Sequence, residues 1–171
     1  MNFTDRLVYG NEEKRGSFIN YSIHLSSYNH SYGRGKAVKL STRSRYGTRL
    51  MLSLAENHGN GPMLLRTISE KEAISLKYLE QLIIPLRVAG LVKSIRGAKG
   101  GYLLAKDPKE IKLIDFLEPL EGDMIMVDCT QSPEICHRAS FCKARELWCD
   151  LQKVLDGKIN ALTLADIMEK P

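Results

Sequence analysis

The sequence predicts a mainly α-helical protein with one small β-hairpin. Apolar residues recur at helical spacing in the middle of the chain, where Ser, Thr, Gly and Pro separate the repeats. Two short apolar runs, 91–95 and 102–104, flank a tip rich in glycine and basic residues, which is typical of a hairpin. A later amphipathic pattern over 144–156 predicts one further, longer helix.

The composition and the charge distribution narrow the function classes. The 171 residues are 43% hydrophobic and 26% charged, which is typical of a folded globular protein, and no apolar run is long enough to predict a membrane span. Residues 38–110 contain thirteen Lys and Arg against six Asp and Glu, a net charge of +7, whereas 111–171 contain seven against eleven, a net charge of −4. This division predicts that the basic part meets a polyanion.

Residues 1–37 differ in composition from the rest of the chain. Gly, Asn, Ser, Tyr and His dominate, and helical periodicity is absent. The segment predicts either a disordered extension or a start assigned too far upstream, with Val38 as the true first residue. No site is assigned there.

The first two predicted helices open the basic part. Ser41 and Thr42 are candidate N-caps for the first, and 58–62 (HGNGP) ends it. Its predicted core residues lie on one apolar face: Tyr46, Leu50, Leu54 and Ala55. A short second helix is predicted over 67–73.

A third helix is predicted to begin after Ser75, its N-cap. Its apolar stripe consists of Leu76, Leu79, Leu82, Ile83 and Leu86. Its opposite face presents Lys77, Glu80, Gln81 and Arg87. Pro85 lies inside this pattern and lacks a backbone donor, so we expect a kink or break near Ile83.

Three helices followed by a basic hairpin are the order of a winged helix-turn-helix, whose third helix enters the major groove while the wing follows the phosphates or reaches the minor groove. The glycines of 97–101 could instead cradle a nucleotide phosphate. No Lys-Ser/Thr helix follows them and no Rossmann unit surrounds them, which argues against that alternative. Arg96 and Lys99 at the tip therefore favour contact with nucleic acid.

The four cysteines form a second group of candidate functional residues. Six, five and six residues separate Cys129, Cys136, Cys142 and Cys149. We expect a cytoplasmic, reducing location, where structural disulfides are rare. Their spacing leaves an iron–sulfur cluster, a zinc site and redox-active thiols open.

Four motifs resemble the bacterial winged helix-turn-helix transcription regulators of the IscR, NsrR and CymR type: LSTRSRY at 40–46, YLEQL at 78–82, LRVAGLV at 86–92 and RGAKGGY at 96–102. The resemblance spans 38–164 and implies a homodimer that reads a palindromic operator in double-stranded DNA. The DNA-binding residues expected from the motifs and their resemblance are Ser41, Thr42, Ser75, Lys77, Tyr78, Glu80, Gln81, Arg96 and Lys99. It implies no enzyme, and no base and orienting group stand beside any cysteine in the sequence.

The same resemblance aligns Cys129, Cys136 and Cys142 with three cluster-binding cysteines and implies a 2Fe–2S or 4Fe–4S cluster. The fourth ligand stays open, because IscR-like proteins have a histidine where this chain has Arg145, and NsrR-like proteins have an acidic residue where it has Arg45. The candidates are His137, Cys149 or a residue of the partner subunit. Cys149 is disfavoured because seven helical residues span roughly 10 Å.

The C-terminal part, 111–171, is predicted to combine this cysteine segment with a dimerisation helix. Its broad apolar stripe consists of Leu147, Trp148, Leu151, Val154 and Leu155. Thr163 is predicted to cap a short closing helix. We therefore expect a cytoplasmic homodimeric regulator controlled by an iron–sulfur cluster; the alternative is a cluster-free regulator of the same fold controlled by thiol oxidation or a protein partner.

Overall fold

The computed structural model describes residues 40–169, so the predictions for 1–37 lie outside the described residues. The helices and strands follow one another in this order: α1 Thr42–Glu56, α2 Leu65–Glu72, α3 Leu76–Val88, β1 Val92–Ile95, β2 Gly101–Leu104, α4 Leu113–Glu121, α5 Lys143–Ala161 and α6 Leu164–Met168. Short 3₁₀ turns at Pro108–Glu110, Asp128–Thr130 and Pro133–Ile135 lie in the connections. The mainly helical fold with one antiparallel hairpin confirms the predicted fold class.

Local capping explains where α1 and α3 begin. The Ser41 hydroxyl accepts hydrogen bonds from the backbone N–H groups of Arg43 and Ser44, and the Ser75 hydroxyl accepts one from Tyr78. Ser41 and Ser75 are therefore confirmed as caps, whereas the other candidate, Thr42, is the first residue of α1. The second helix, α2, begins two residues before the predicted start and ends at a left-handed Ala73.

Of the kink or break predicted near Ile83, the break is wrong, and a kink there stays a prediction. The third helix, α3, continues through Pro85 to Val88. A proline at this position removes one hydrogen bond to the carbonyl of Gln81, and Gln81 is exposed, so water can reach that region of the helix. Burial of the opposite face through Leu82 and Leu86 holds the helix in place.

A third short segment, which the sequence does not predict, pairs with the hairpin. In the register of β1 and β2, Val92 lies opposite Leu104 and Ile95 opposite Gly101. Met63 then pairs with Tyr102 on the other edge through two backbone hydrogen bonds of 2.8 Å. Gly101 has φ +152°, and a Cβ there would lie 2.5 Å from the Met63 carbonyl oxygen, so this pairing requires glycine.

The hydrophobic core extends beyond residue 110. Ile111, Phe116 and Leu164 are fully buried in one cluster with the inner faces of α1 and α3. The Leu164 N–H donates to the Ile111 carbonyl at 2.8 Å, which fastens the start of α6 beside the start of α4. The division into 38–110 and 111–171 stays a prediction.

The long helix α5 runs five residues past its predicted end at 156. Gln152 and Ile159 are its buried residues, whereas the predicted apolar stripe is largely exposed, with Leu147 at 55% and Val154 at 72%. Thr163 caps α6 in a reciprocal pair with Asp166, as predicted. No helix within 40–169 has both the length and the apolar character needed to cross a bilayer.

Candidate DNA-binding face and cysteine segment

The outer face of α3 is polar near its N-terminus. Lys77, Glu80 and Gln81 are exposed, and Ser75 is exposed at the N-cap. The opposite side of the helix buries Leu79, Leu82, Ile83 and Leu86, so the core fixes which side chains point outward. This arrangement leaves donors and acceptors free along one accessible helical face.

A shallow depression joins the beginnings of α1 and α3. Its lining is shared by both helices and the connection before α3: Thr42, Tyr46, Ala73, Ile74, Ser75 and Tyr78. The rings of Tyr46 and Tyr78 meet edge to face, with centroids 5.8 Å apart. The structure thus brings together three predicted site residues, Thr42, Ser75 and Tyr78.

Tyr46, a predicted core residue, is partly buried against the core and also lines this surface. The guanidinium carbons of Arg45 and Arg49 lie 5.8 and 5.6 Å from the centre of its ring. Arg49 is further held by Glu72, whose carboxylate accepts from its Nε at 2.9 Å. Arginines one and three residues from an aromatic side chain are the sequence signal for this cluster.

Ser41 lies in an internal network at the start of α1. Its hydroxyl donates to the carboxylate of Glu121, and its backbone N–H donates to the same carboxylate at 3.3 Å. The Ser44 hydroxyl also donates to Glu121, and Arg43 Nε donates to the Leu120 carbonyl at 2.9 Å. The end of α4 therefore helps to cap α1, and a DNA contact by Ser41 stays a prediction.

Hydrogen bonds from Ser41 and Ser44 lower the pKa of Glu121 below its ordinary value. Because the folded pKa is depressed, this carboxylate stabilises the fold fully above the ordinary glutamate value of about 4.3, and the contribution is lost as the pH falls through the lowered folded pKa.

We expect Glu121→Gln to lower the free energy of unfolding by about 0.3–1 kcal/mol at pH 7, since a negative charge at a helix N-terminus contributes about that much. The difference from the parent protein should shrink on acidification below about pH 4. Urea unfolding of both proteins from pH 7 down to pH 3 measures it. A difference that stayed constant across this range would contradict the assignment.

The wing tip presents its two predicted basic side chains to solvent. Arg96 and Lys99 are both exposed between β1 and β2. Gly97 has φ +116°, and Gly100 is buried against the backbone of the tip, donating to the Gly97 carbonyl at 2.9 Å. The glycines thus form a tight turn that leaves the cationic groups accessible.

The four cysteines are half-buried free thiols. Three of them lie in the connection between α4 and α5, residues 122–142, which we call the cysteine segment. Cys129 lies in one 3₁₀ turn, Cys136 follows the next, Cys142 is the N-cap of α5 and Cys149 lies inside that helix. No three His, Cys, Asp or Glu side chains within 40–169 form a group that could hold a metal ion. The structure therefore does not assemble the three predicted thiol ligands, and the exposed His137 does not complete a set with them.

Arg145 connects two of these cysteines. Its Nε donates to the Cys129 carbonyl at 2.6 Å, and its backbone N–H donates to the Cys142 carbonyl at 3.0 Å. Arg145 occupies the position where the resemblance implies a histidine ligand. In this chain it instead ties the segment around Cys129 to the first turn of α5.

Gln152 fastens the same segment two helical turns further along α5. Its amide nitrogen donates to the Met124 carbonyl at 2.9 Å, and its amide oxygen accepts from the Met126 N–H at 2.8 Å. Gln152 is 6% exposed, so these bonds satisfy a buried amide. The signal in the sequence is a single polar residue at the margin of the apolar stripe, one turn after Trp148.

The donor chemistry fits an iron–sulfur cluster, because thiolates are its usual ligands. The geometry does not fit in this conformation, since the thiols do not converge. Cluster binding would therefore require the segment that carries these thiols to rearrange.

An apolar cavity of about 440 Å³ lies beside α5. Its lining consists of one residue before α1, residues at and after the end of α4, and two residues of the apolar stripe of α5: Leu40, Glu121, Asp123, Met124, Ile125, Met126, Val127, Trp148 and Leu155. Leu147, Leu151 and Val154 of the same helix are exposed, so α5 also leaves these apolar side chains uncovered.

Comparisons with known proteins find relatives of this chain in sequence and in fold. The regulator CymR of Bacillus subtilis is 41% identical over 130 residues, which cover 76% of this chain and 89% of the relative. The regulator IscR of Serratia proteamaculans is 39% identical over 131 residues, which cover 77% of this chain and 79% of the relative. The solved structure of B. subtilis CymR, described as the global cysteine regulator, superposes with a TM-score of 0.66 at 40% identity and covers 77% of this chain and 96% of that one.

A family model described as an iron-dependent transcriptional regulator, Rrf2, matches residues 40–170. The match spans the helices, the wing, the cysteine segment and α5 together. Its members regulate transcription by binding DNA and are not enzymes. The chain belongs to the Rrf2 family of transcriptional regulators.

Proposed function

We propose that this regulator is a cytoplasmic homodimer that binds a palindromic operator, and that an iron–sulfur cluster held by Cys129, Cys136 and Cys142 controls its operator affinity. The observation that supports operator binding most directly is the outward polar face of α3 beside the exposed basic wing. In this proposal α3 enters the major groove, and Arg96 reaches the minor groove.

The exposed stripe of α5 supports the homodimer. An apolar surface containing Leu147 and Val154 is costly to leave in water, and a palindromic operator requires a two-fold protein. A second copy of α5 would cover this surface. Two recognition helices would then meet half-sites about 34 Å apart, so a small change of their relative angle alters affinity.

The position of the cysteine segment supports control of that angle. Residues 123–127 line the apolar cavity beside α5, and Arg145 and Gln152 hold the segment on the same helix. When bound, a cluster would supply a link between thiols that are otherwise apart. Movement of the 130–142 part is thereby coupled to the proposed dimer surface.

A cluster-free regulator is the second candidate, because the described thiols do not form a ligand group. Control would then come from thiol oxidation or from a regulatory protein partner. The identities of 39% to IscR and 41% to CymR do not separate the two candidates.

Anaerobically purified protein is expected to contain iron, and its operator affinity should change when the iron is removed. Cys129→Ala should abolish both the iron content and the difference in affinity, because it removes a proposed ligand. Iron analysis and operator binding at fixed salt measure the two effects.

Cys149→Ala is the matched control and should keep its iron, because α5 separates Cys149 from Cys142 by roughly 10 Å. Equal operator affinity with and without iron would exclude cluster control. Iron-free anaerobic protein whose affinity responds to thiol oxidation would instead support the cluster-free candidate.

A further inference from the structure

The outer face of α3 changes character halfway along the helix. Lys77 and Gln81 are followed on the same side by Ile84 and Val88, which are 57% and 85% exposed. At 3.6 residues per turn these four side chains lie within an arc of about 60°, opposite the buried Leu86. The outward face of α3 is therefore polar at Lys77 and Gln81 and becomes apolar at Ile84 and Val88.

The placement of Ile84 distinguishes it from an ordinary exposed aliphatic residue. Single apolar side chains on a surface need no explanation. Ile84, however, lies one turn from Gln81 along the helix that the proposed function places in the major groove. The two residues are separated by a rise of about 4.5 Å, which is comparable with the 3.4 Å between stacked base pairs.

The chemistry of the major groove offers one apolar partner at the base edges. Adenine, guanine and cytosine present donors and acceptors there, whereas thymine also presents its C5-methyl group. A glutamine side chain suits adenine, and an aliphatic side chain suits the thymine methyl. Gln81 and Ile84 could thus read adjacent base pairs by different means.

We propose that Ile84 determines specificity by packing against the C5-methyl group of a thymine in each operator half-site, next to the base pair that Gln81 contacts. This inference rests on the proposed entry of α3 into the major groove. Binding would remove both the methyl group and the Ile84 side chain from water. It would favour thymine over cytosine or uracil, which lack that methyl group.

The test starts with the full chain and a duplex operator selected from a random DNA library. Each thymine is replaced in turn by deoxyuridine, which removes only the methyl group, and the affinity is measured at fixed salt. We expect one replacement in each half-site to weaken binding about fourfold, since one buried methyl group contributes about that factor.

The protein side of the contact is tested with Ile84→Ala. This variant should bind the thymine operator more weakly than the parent protein and should lose its sensitivity to that deoxyuridine. Val88→Ala is the matched control, because Val88 is also exposed and apolar but lies one turn further from Gln81. It should keep the sensitivity of the parent protein.

The outcomes separate this inference from the proposed function. No selected duplex at all would mean that operator binding itself fails. Sequence-specific binding that ignores every deoxyuridine replacement would overturn the role of Ile84 and leave operator binding intact. The role of Ile84 would also be overturned if Ile84→Ala kept the parent protein's sensitivity to the deoxyuridine replacement. A variant that changed its oligomeric state instead of losing this sensitivity would overturn it too.

Discussion

Replacing Phe116 with alanine is expected to lower the free energy of unfolding by about 3–5 kcal/mol. Phe116 lies in α4 and is fully buried in the cluster that also contains the inner faces of α1 and α3. Removing its ring leaves a cavity that the surrounding helices fill only in part. Urea unfolding at a fixed protein concentration measures the loss, because a dimer would make the apparent stability depend on concentration.

Val88→Ala provides the control for this prediction. Val88 is 85% exposed, so the same kind of truncation should change the free energy of unfolding by less than about 0.5 kcal/mol. A loss below about 1 kcal/mol for Phe116→Ala would contradict the assignment of α4 to the core. A large loss would show that the winged-helix part depends on residues beyond 110.

The second large effect concerns the operator rather than the fold. Arg96→Ala is expected to weaken operator binding by about 1–3 kcal/mol, which corresponds to roughly five- to 150-fold. Arg96 is exposed at the tip of the wing, so its removal should leave the core unchanged. Titration of the selected operator at several salt concentrations measures both the affinity and its salt dependence.

Lys109→Ala separates a specific contact from a simple loss of charge. Lys109 is also exposed and basic, but it lies in the 3₁₀ turn after the hairpin. If both variants weakened binding equally, the effect of Arg96 would be that of net charge alone. Unchanged affinity in Arg96→Ala would remove this residue from the proposed DNA-binding set.

Local physical chemistry explains the elements that the sequence predicts correctly. Ser41 and Ser75 accept hydrogen bonds from N–H groups two or three residues away, so their capping depends little on the rest of the chain. The glycine-rich tip likewise forms within its own turn. The winged-helix order could be predicted because each of these signals is short in range.

Pro85 shows how packing overrides a local rule. Proline disfavours a helix interior, yet the buried stripe around Leu82 and Leu86 holds α3 continuous. Met63 shows a contact for which no local rule exists, since nothing near it in sequence predicts its pairing with Tyr102. Both outcomes depend on partners that are distant along the chain or on another face of the element.

In the cysteine segment, the spacing of the cysteines and the positions of their thiols lead to different conclusions. Four thiols at regular spacing indicate a candidate ligand set, but spacing does not place sulfur atoms in space. Residues 40–169 instead reveal an anchored portion, held by Arg145 and Gln152, and no assembled metal site. The polar face of α3 was predictable because helical periodicity alone separates it from the core.

The sequence alone therefore specifies α1 and α3, the caps Ser41, Ser75 and Thr163, the basic wing and the outward direction of Lys77 and Gln81, because these follow from interactions within a few residues. Tertiary packing specifies the attachment of Glu121 to the start of α1, the anchoring of Cys129 by Arg145 and the exposure of the α5 stripe. These features join residues 16 to 80 positions apart or depend on which surfaces the core leaves uncovered. Such contacts form only when the whole core has packed, so no local pattern predicts them.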